Sequence, residues 1–263
     1  MTQSLTKKYI KQRLWSVILG AAIALTGLGG CAGEGKPVLS SHHPTAKRWI
    51  TSSYFDKAMD YEGSRFEVIS FAEILGTDWQ EEADAVVLEC RDDYEGLISV
   101  RDIRRFDLQL ATRIELTTGS KAPDWLVPWL VVVPDGSAAP FQERFITANI
   151  REIRPVRFLE YYAPIRKRLG KASLDLQMGF DVFRDNCLFC HSLEGVGGNK
   201  GIALMTTYSF LKEEDATRFK QDFRSFHGSD NPDKQNMAQF VGQRSLRRVT
   251  QFLARLAGNS QEN

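Results

Sequence analysis

The feature that most constrains this chain is the run Cys187-Leu188-Phe189-Cys190-His191. Two thiols separated by two residues and followed directly by an imidazole form the arrangement that covalent haem attachment requires. The spacing lets each sulfur reach one vinyl group on the same edge of a porphyrin, and the next residue turns its imidazole onto the iron. The sequence therefore predicts one covalent haem c, held by Cys187 and Cys190, with His191 as the proximal iron ligand.

Other uses of this pair of cysteines are less consistent with its surroundings. A zinc knuckle needs a second Cys or Cys/His pair about 15–20 residues further on, and none follows here. A thioredoxin-like redox pair needs a preceding strand, whereas the residues before Cys187 have a helical pattern. The glycines that follow the motif could cradle a phosphate, but no P-loop lysine and serine pattern accompanies them.

The flanking residues resemble those of class I cytochrome c. Gly179, Phe183 and Cys187 follow one another at steps of four, as in the family's first helix, G-x-x-x-[FY]-x-x-x-C-x-x-C-H. The resemblance implies that the glycine lets a C-terminal helix cross closely, with Phe252 over it, and that the aromatic packs between helix and haem. Four apolar residues with helical spacing predict this partner helix: Leu246, Val249, Leu253 and Leu256.

The sixth iron ligand is expected between these two helices. Met237 is the favoured candidate, because a thioether is soft and uncharged and its segment resembles the methionine loop of small bacterial class I cytochromes c. Ala238 stands where that family usually has proline. His227 is the alternative and would give bis-histidine iron of lower potential, and an open or water-bound site is the third option. Met205 follows the proximal histidine too closely and is expected in the core.

Residues 192–204 are predicted to form the loop beneath the haem, because several glycines there allow the backbone to curl close to the porphyrin. The resemblance places Gly201-Ile202 where the family often has Gly-Pro. The proline carbonyl in that family accepts the second ring proton of the proximal histidine. The carbonyl of Ile202 can fill the same role.

The beginning of the chain predicts export. Four basic residues between positions 7 and 13 precede an apolar run from 14 to about 28, the pattern of a secretory signal. The run ends in Leu28-Gly29-Gly30-Cys31, which resembles the lipobox of bacterial lipoproteins and implies lipidation of Cys31. An uncleaved anchor helix or an ordinary signal peptide is the alternative. The expected location is the periplasmic side of a bacterial envelope, and Ala32 favours the outer membrane in an enteric-like Gram-negative host.

The chain of 263 residues is long enough for two domains, and its fold class is predicted to be α+β. A β-rich N-terminal domain precedes an all-α class I cytochrome c domain. The stretches 88–110 and 125–129 resemble sulfite-oxidase-type molybdopterin-binding domains, but no motif for the pterin or for a molybdenum-ligating cysteine is present. A degenerate, cofactor-free relative used for docking is therefore expected. The predicted segments are a signal peptide (1–30), a flexible tether (31–48), the β-rich domain (49–155), a basic linker (156–171) and the cytochrome c domain (172–258).

Within the β-rich domain, short apolar runs predict individual elements. The predicted strands are 65–71, 83–90, 96–100, 108–116 and 129–133, and short helical turns are expected at 71–75 and 100–106. Cys90 falls in the second strand, where a buried, inert thiol is the expected state and a functional thiol the alternative. With the other three of the four cysteines assigned, no intramolecular disulfide is expected.

The distribution of charge predicts which kinds of partner the protein binds. The formal net charge of +1 indicates no nucleic-acid partner. Residues 151–171 carry seven Lys/Arg against two Glu, which could steer toward an acidic redox protein or anionic lipid, or could simply be a solvated linker face. These features predict a membrane-tethered monohaem cytochrome that passes single electrons between respiratory partners, such as a dehydrogenase or a terminal oxidase, and has no substrate of its own. The alternatives are a haem subunit or fused enzyme whose N-terminal domain binds substrate or a pterin, and a haem-based gas sensor.

Overall fold

The computed structural model describes residues 46–76, 83–117, 122–228 and 236–259, which combine two antiparallel β-sheets with a set of helices. All of these residues belong to one compact unit. The predicted signal peptide, Cys31 and most of the predicted tether lie outside the described residues.

Seven strands form the two sheets in the described ranges. The first sheet has the order β1-β2-β5-β6 and the second the order β4-β3-β7. Every pairing is antiparallel, and the β2–β5 register shifts between Glu67 and Val68. The strands are β1 (Arg48–Thr51), β2 (Arg65–Ser70), β3 (Ala85–Cys90), β4 (Glu95–Ser99), β5 (Gln109–Glu115), β6 (Leu130–Val132) and β7 (Ile150–Val156).

Nine α-helices lie in the same ranges. They are α1 (Ser53–Met59), α2 (Phe71–Leu75), α3 (Val100–Arg105), α4 (Phe158–Tyr161), α5 (Ala163–Leu169), α6 (Leu174–Asn186), α7 (Leu204–Thr207), α8 (Glu213–Phe226) and α9 (Gln243–Asn259). Two short 3₁₀ turns, Glu143–Ile146 and Met237–Gln239, complete the elements. Among these helices none combines the length and the apolar character that crossing a membrane would take.

The predicted mixture of strands and helices is confirmed. The five predicted strands correspond to β2 through β6, and the two predicted helical turns to α2 and α3. Ser70 is the last residue of β2 and the N-cap of α2. Its hydroxyl accepts a hydrogen bond from the Glu73 N–H. The sequence did not predict β1, α1 or β7.

Strand β3 is buried on both faces, which explains its unbroken apolar run. Ala85 and Val87 point to a cluster formed mainly by helices, whereas Val86 and Leu88 point to a cluster that draws on both sheets. Successive side chains of a strand alternate between its faces, so one strand can serve two cores. The division into two domains stays a prediction, because β3 belongs equally to the helical core.

The predicted basic linker, residues 156–171, carries α4 and α5. Tyr162, Ile165 and Leu169 are buried in the helical cluster, so this segment is part of the core. The basic residues begin just before this segment, at Arg151, and some of them form ion pairs. Arg151 and Arg154 each place a nitrogen 3.2 Å from a carboxylate oxygen of Glu89.

Candidate functional site

The cysteine–histidine motif follows directly from the end of α6. Ser173 caps the start of this helix, and Cys187 caps its end with an N–H bond of 2.8 Å to the Phe183 carbonyl. The chain then makes a further turn, in which the His191 N–H donates to the Cys187 carbonyl at 3.0 Å. The turn brings both motif cysteines and the histidine to the wall of one cavity.

That cavity has a volume of about 270 Å³, and its wall is largely apolar. Helices α7 and α8, both 3₁₀ turns, and loops and turns that connect the strands all contribute to it. Its larger apolar side chains include Trp125, Phe189, Phe219, Phe223, Phe226 and Phe240. Such a wall favours a ligand with a large apolar surface.

The imidazole of His191 is held in one tautomer. Its Nδ1 lies 2.8 Å from the Ile202 carbonyl oxygen, and because a carbonyl only accepts, Nδ1 carries the proton. Nε2 is then the nitrogen with a lone pair. Burial lowers the pKa of His191, against a smaller opposing effect of the Ile202 bond, which keeps the ring in the neutral form that binds metals. The predicted hydrogen bond between the His191 ring and the Ile202 carbonyl is confirmed.

The glycines after the motif allow close backbone approaches. A Cβ at Gly201 would overlap the His191 ring, and one at Gly197 would overlap the Leu188 carbonyl oxygen. The Gly198 N–H donates to that same carbonyl at 3.0 Å. The predicted loop therefore folds tightly onto the motif itself, and Gly201 sets the distance between Ile202 and the imidazole.

The predicted crossing of the two long helices is confirmed. A Cβ at Gly179 would overlap the Arg248 carbonyl oxygen and would lie 3.0 Å from the Phe252 Cβ, so α9 packs directly on the glycine. The aromatic expected between helix and haem, Phe183, is instead fully buried with its ring centre 5.8 Å from that of Phe252. Phe183 follows Gly179 by one helical turn, so it faces α9 as the glycine does.

Two candidate distal ligands line the cavity with His191. Met237 lies in the second 3₁₀ turn, and His227 caps the end of α8. The imidazole rings of His191 and His227 have centres 6.2 Å apart and planes at 88°. Met205 packs against the helical cluster, as predicted.

The segments between the strands contribute a pair of polar side chains to the cavity that the sequence did not indicate. The Tyr94 hydroxyl donates to a carboxylate oxygen of Glu143 at 2.5 Å, and both residues line the wall. Burial raises the pKa of Glu143 to about 7, and burial together with the nearby carboxylate raises that of Tyr94. A second polar pair connects the motif loop to the β3–β4 turn. The Lys200 Nζ lies 2.7 Å from a carboxylate oxygen of Asp92.

The three described cysteines are free thiols. Burial raises the pKa of Cys187 to about 12 and raises that of Cys190 and of Cys90, so all three stay protonated near neutrality. Cys90 is buried in β3, and its predicted burial is confirmed.

Some cavity residues were missed because the sequence signal for them is indirect. Phe219, Phe223 and Phe226 recur at steps of four and three, which is a helical pattern and could have identified α8. Tyr94, Trp125 and Glu143 come from loops and turns whose contact with the motif depends on the tertiary fold.

The chain matches no family model, no curated protein and no solved structure. Within the described ranges, no three or more His, Cys, Asp or Glu side chains are grouped to hold a metal ion. Haem iron needs fewer ligands from the protein than a bare metal ion does, because the porphyrin supplies the equatorial nitrogens. Two thiols and a neutral imidazole on one apolar cavity are a donor set that fits haem c.

Proposed function

We propose that this chain is a monohaem c-type cytochrome that passes single electrons between redox proteins. The observation that carries the proposal is the convergence of Cys187, Cys190 and His191 on one apolar cavity, with the imidazole fixed by the Ile202 carbonyl. Each thiol would add across one vinyl group, with its hydrogen passing to a vinyl carbon, and His191 would ligate the iron from the proximal side.

A bound haem supplies an iron that changes between the ferric and ferrous states. The chain's own residues make that change easy in three ways. Cys187 and Cys190 fix the ring position, and the Ile202 carbonyl keeps the His191 ring from rotating. The apolar wall excludes water, so little solvent rearranges when an electron arrives. Met237 and His227 line the same cavity as His191, and either could supply a sixth ligand.

The β-rich part of the chain serves the same cavity in this proposal. Trp125 and Glu143, from segments between its strands, line the wall together with the motif. This placement favours a role for the β-rich part in covering the haem over a separate pterin or substrate site, and it favours an electron carrier over an enzyme with its own substrate. The partners we propose are a dehydrogenase or a terminal oxidase, reached by a protein tethered through Cys31 to the periplasmic side of a bacterial membrane.

The test is covalent haem attachment in a bacterial host that matures c-type cytochromes. The full-length chain should carry haem that survives denaturation, shown by an intact mass raised by one haem. The double variant Cys187→Ala/Cys190→Ala should lose it completely. The matched control is Cys90→Ala, which removes the remaining described thiol and should keep full attachment.

Haem that is absent from the full-length protein, or is removed by denaturation, would contradict the proposal. Equal attachment in the double variant and in Cys90→Ala would do so as well. Metal analysis of the same sample addresses the pterin alternative, because molybdenum beside iron would indicate a working molybdoenzyme and overturn the electron-carrier assignment.

A further inference from the structure

The spacing of two imidazoles in the cavity points to the second axial ligand. An imidazole nitrogen binds a first-row metal at about 2.0 Å, with the ring centre roughly 1.1 Å behind it, so two imidazoles on opposite sides of one ion have centres roughly 6 to 6.5 Å apart. The ring centres of His191 and His227 are 6.2 Å apart. Their planes are nearly perpendicular, at 88°, which is a usable orientation for two ligands on one axis.

The backbone of His227 is fixed on both sides. Its N–H donates to the Phe223 carbonyl at 2.9 Å, which ends α8, and its carbonyl accepts the Ala238 N–H at 2.9 Å. The Phe223 ring packs beside the imidazole, with centres 5.3 Å apart. The imidazole is therefore carried by the end of a 14-residue helix. A ligand mounted in this way needs little reordering to hold a metal.

Met237 has a different set of contacts. It begins a 3₁₀ turn, and its carbonyl accepts the N–H groups of Phe240 and Val241 at 3.0 and 3.2 Å. Its partly buried side chain packs against the helical hydrophobic cluster. An unbranched thioether fills such a position as an ordinary core residue. Its presence on the cavity wall is therefore explained by packing.

We infer that His227, and not Met237, is the second axial ligand of the haem iron. The inference rests on the proposed function, since it concerns the same cavity. Two neutral imidazoles then hold the iron in both oxidation states, and its potential lies below that of a His/Met site. The protein would accordingly exchange electrons with low-potential partners. A closed, six-coordinate iron also disfavours gas binding.

The first measurement is the absorption spectrum of the oxidised full-length protein with its haem. We expect a six-coordinate spectrum that lacks the weak far-red band of sulfur ligation. Met237→Leu, a change of similar volume, should leave the spectrum and the midpoint potential unchanged. His227→Ala should lose the six-coordinate spectrum, bind carbon monoxide when reduced, and recover six-coordination when imidazole is added.

A far-red sulfur band in the unaltered protein, lost in Met237→Leu, would overturn the inference and leave the proposed function standing. Persistence of one six-coordinate spectrum through both variants would overturn it too, because a third residue would then be the ligand. If His227→Ala does not fold, the inference can still be overturned, because a far-red sulfur band or an open, five-coordinate spectrum in the unaltered protein would each contradict it. Absence of covalent haem is a different outcome, since that result removes the proposed function itself.

Discussion

Gly179 is the residue at which the two long helices touch. A Cβ there would overlap the Arg248 carbonyl oxygen, which is part of the α9 backbone and cannot rotate away. Gly179→Ala should lower the free energy of unfolding by about 1–3 kcal/mol through overpacking. The loss is expected even though alanine favours helix over glycine by about 1 kcal/mol. Chemical denaturation of the two proteins gives the difference.

Gly258 supplies the control for this substitution. Gly258 lies in α9, the helix that packs on Gly179. A Cβ at Gly258 would meet only the Leu211 Cδ2, at 3.9 Å, which is an ordinary contact. Gly258→Ala should therefore be neutral or stabilising, by up to about 1 kcal/mol. Equal effects of the two substitutions would show that the close crossing at Gly179 does not limit stability.

Glu143 is the residue that should make stability depend on pH. Burial raises its pKa from an ordinary 4.5 to about 7. As the pH rises from 4.5 to 7, the unfolded chain loses this proton while the folded protein keeps it, so the folded state loses stability across that window. The contribution is complete below pH 4.5 and is lost above about 7. One proton gives a slope of at most about 1.4 kcal/mol per pH unit.

Glu143→Gln should remove this part of the pH dependence, because an amide does not titrate. Denaturation curves at a series of pH values between 4.5 and 8 measure it, with Glu160→Gln at an exposed position as the control. A slope that is the same in both variants would show that Glu143 ionises as it does in water.

At the residue scale, the sequence predicted contacts around the motif but not contacts between residues far apart in the chain. The helix crossing at Gly179 and the hydrogen bond to the Ile202 carbonyl were both expected from the resemblance to class I cytochrome c, which rests on residues at fixed positions around the motif. Tyr94 and Glu143 could not. They are 49 positions apart, and no periodicity relates residues that meet only through tertiary packing.

At the scale of elements, a buried ion pair positions one wall of the cavity. Arg144 lies in the 3₁₀ turn that presents Glu143 and Ile146, and its guanidinium is 3.0 Å from Asp102 in α3. The two side chains are only 12% and 13% exposed. Arg144→Met should cost about 3–5 kcal/mol, because it leaves the Asp102 carboxylate buried without its partner.

The double variant Arg144→Met/Asp102→Asn tests the origin of that cost. It should be less destabilised than the sum of the single variants, since neither charge is then left alone. The exposed pair Arg48–Asp107 is the control, with side chains 57% and 63% exposed, and Arg48→Met should change stability by about 0–1 kcal/mol. Strict additivity at Arg144 and Asp102 would contradict the coupling.

The elements themselves were predictable where their pattern was clear. Strand β3 was found from its apolar run, and α9 from four apolar residues that are all buried in the structure. Strand β7 was missed because only Ile150 and Ile153 are buried along it and Pro155 lies near its end. That composition suits the edge of a sheet, where proline is tolerated, and it resembles a loop in sequence.

At the scale of the whole molecule, α1 and the loop that contains Phe141 pack against the Met237–Gln239 turn and the residue after it on the cavity wall. The Gln239 side chain donates to the Ala58 carbonyl in α1 at 2.9 Å, and the Phe240 ring packs 4.7 Å from that of Phe141. These contacts join positions far apart in the chain. The sequence predicted the two parts separately, but no local pattern encodes how they meet.

If haem is bound as proposed, the Gln239 contact predicts how readily outside ligands reach it. Gln239→Ala removes a hydrogen bond worth about 1 kcal/mol, so the Met237–Gln239 turn should open about fivefold more often. Measured in the His227→Ala background, where the iron is expected to have an open position, carbon monoxide should then bind the reduced protein about fivefold faster in stopped-flow mixing. Gln177→Ala is the matched control, because that amide also donates to an alanine carbonyl, at 3.1 Å to Ala172, but stays within one exposed part of the chain. Equal rates in the two variants would mean that access to the proposed haem does not depend on the contact between Gln239 and α1.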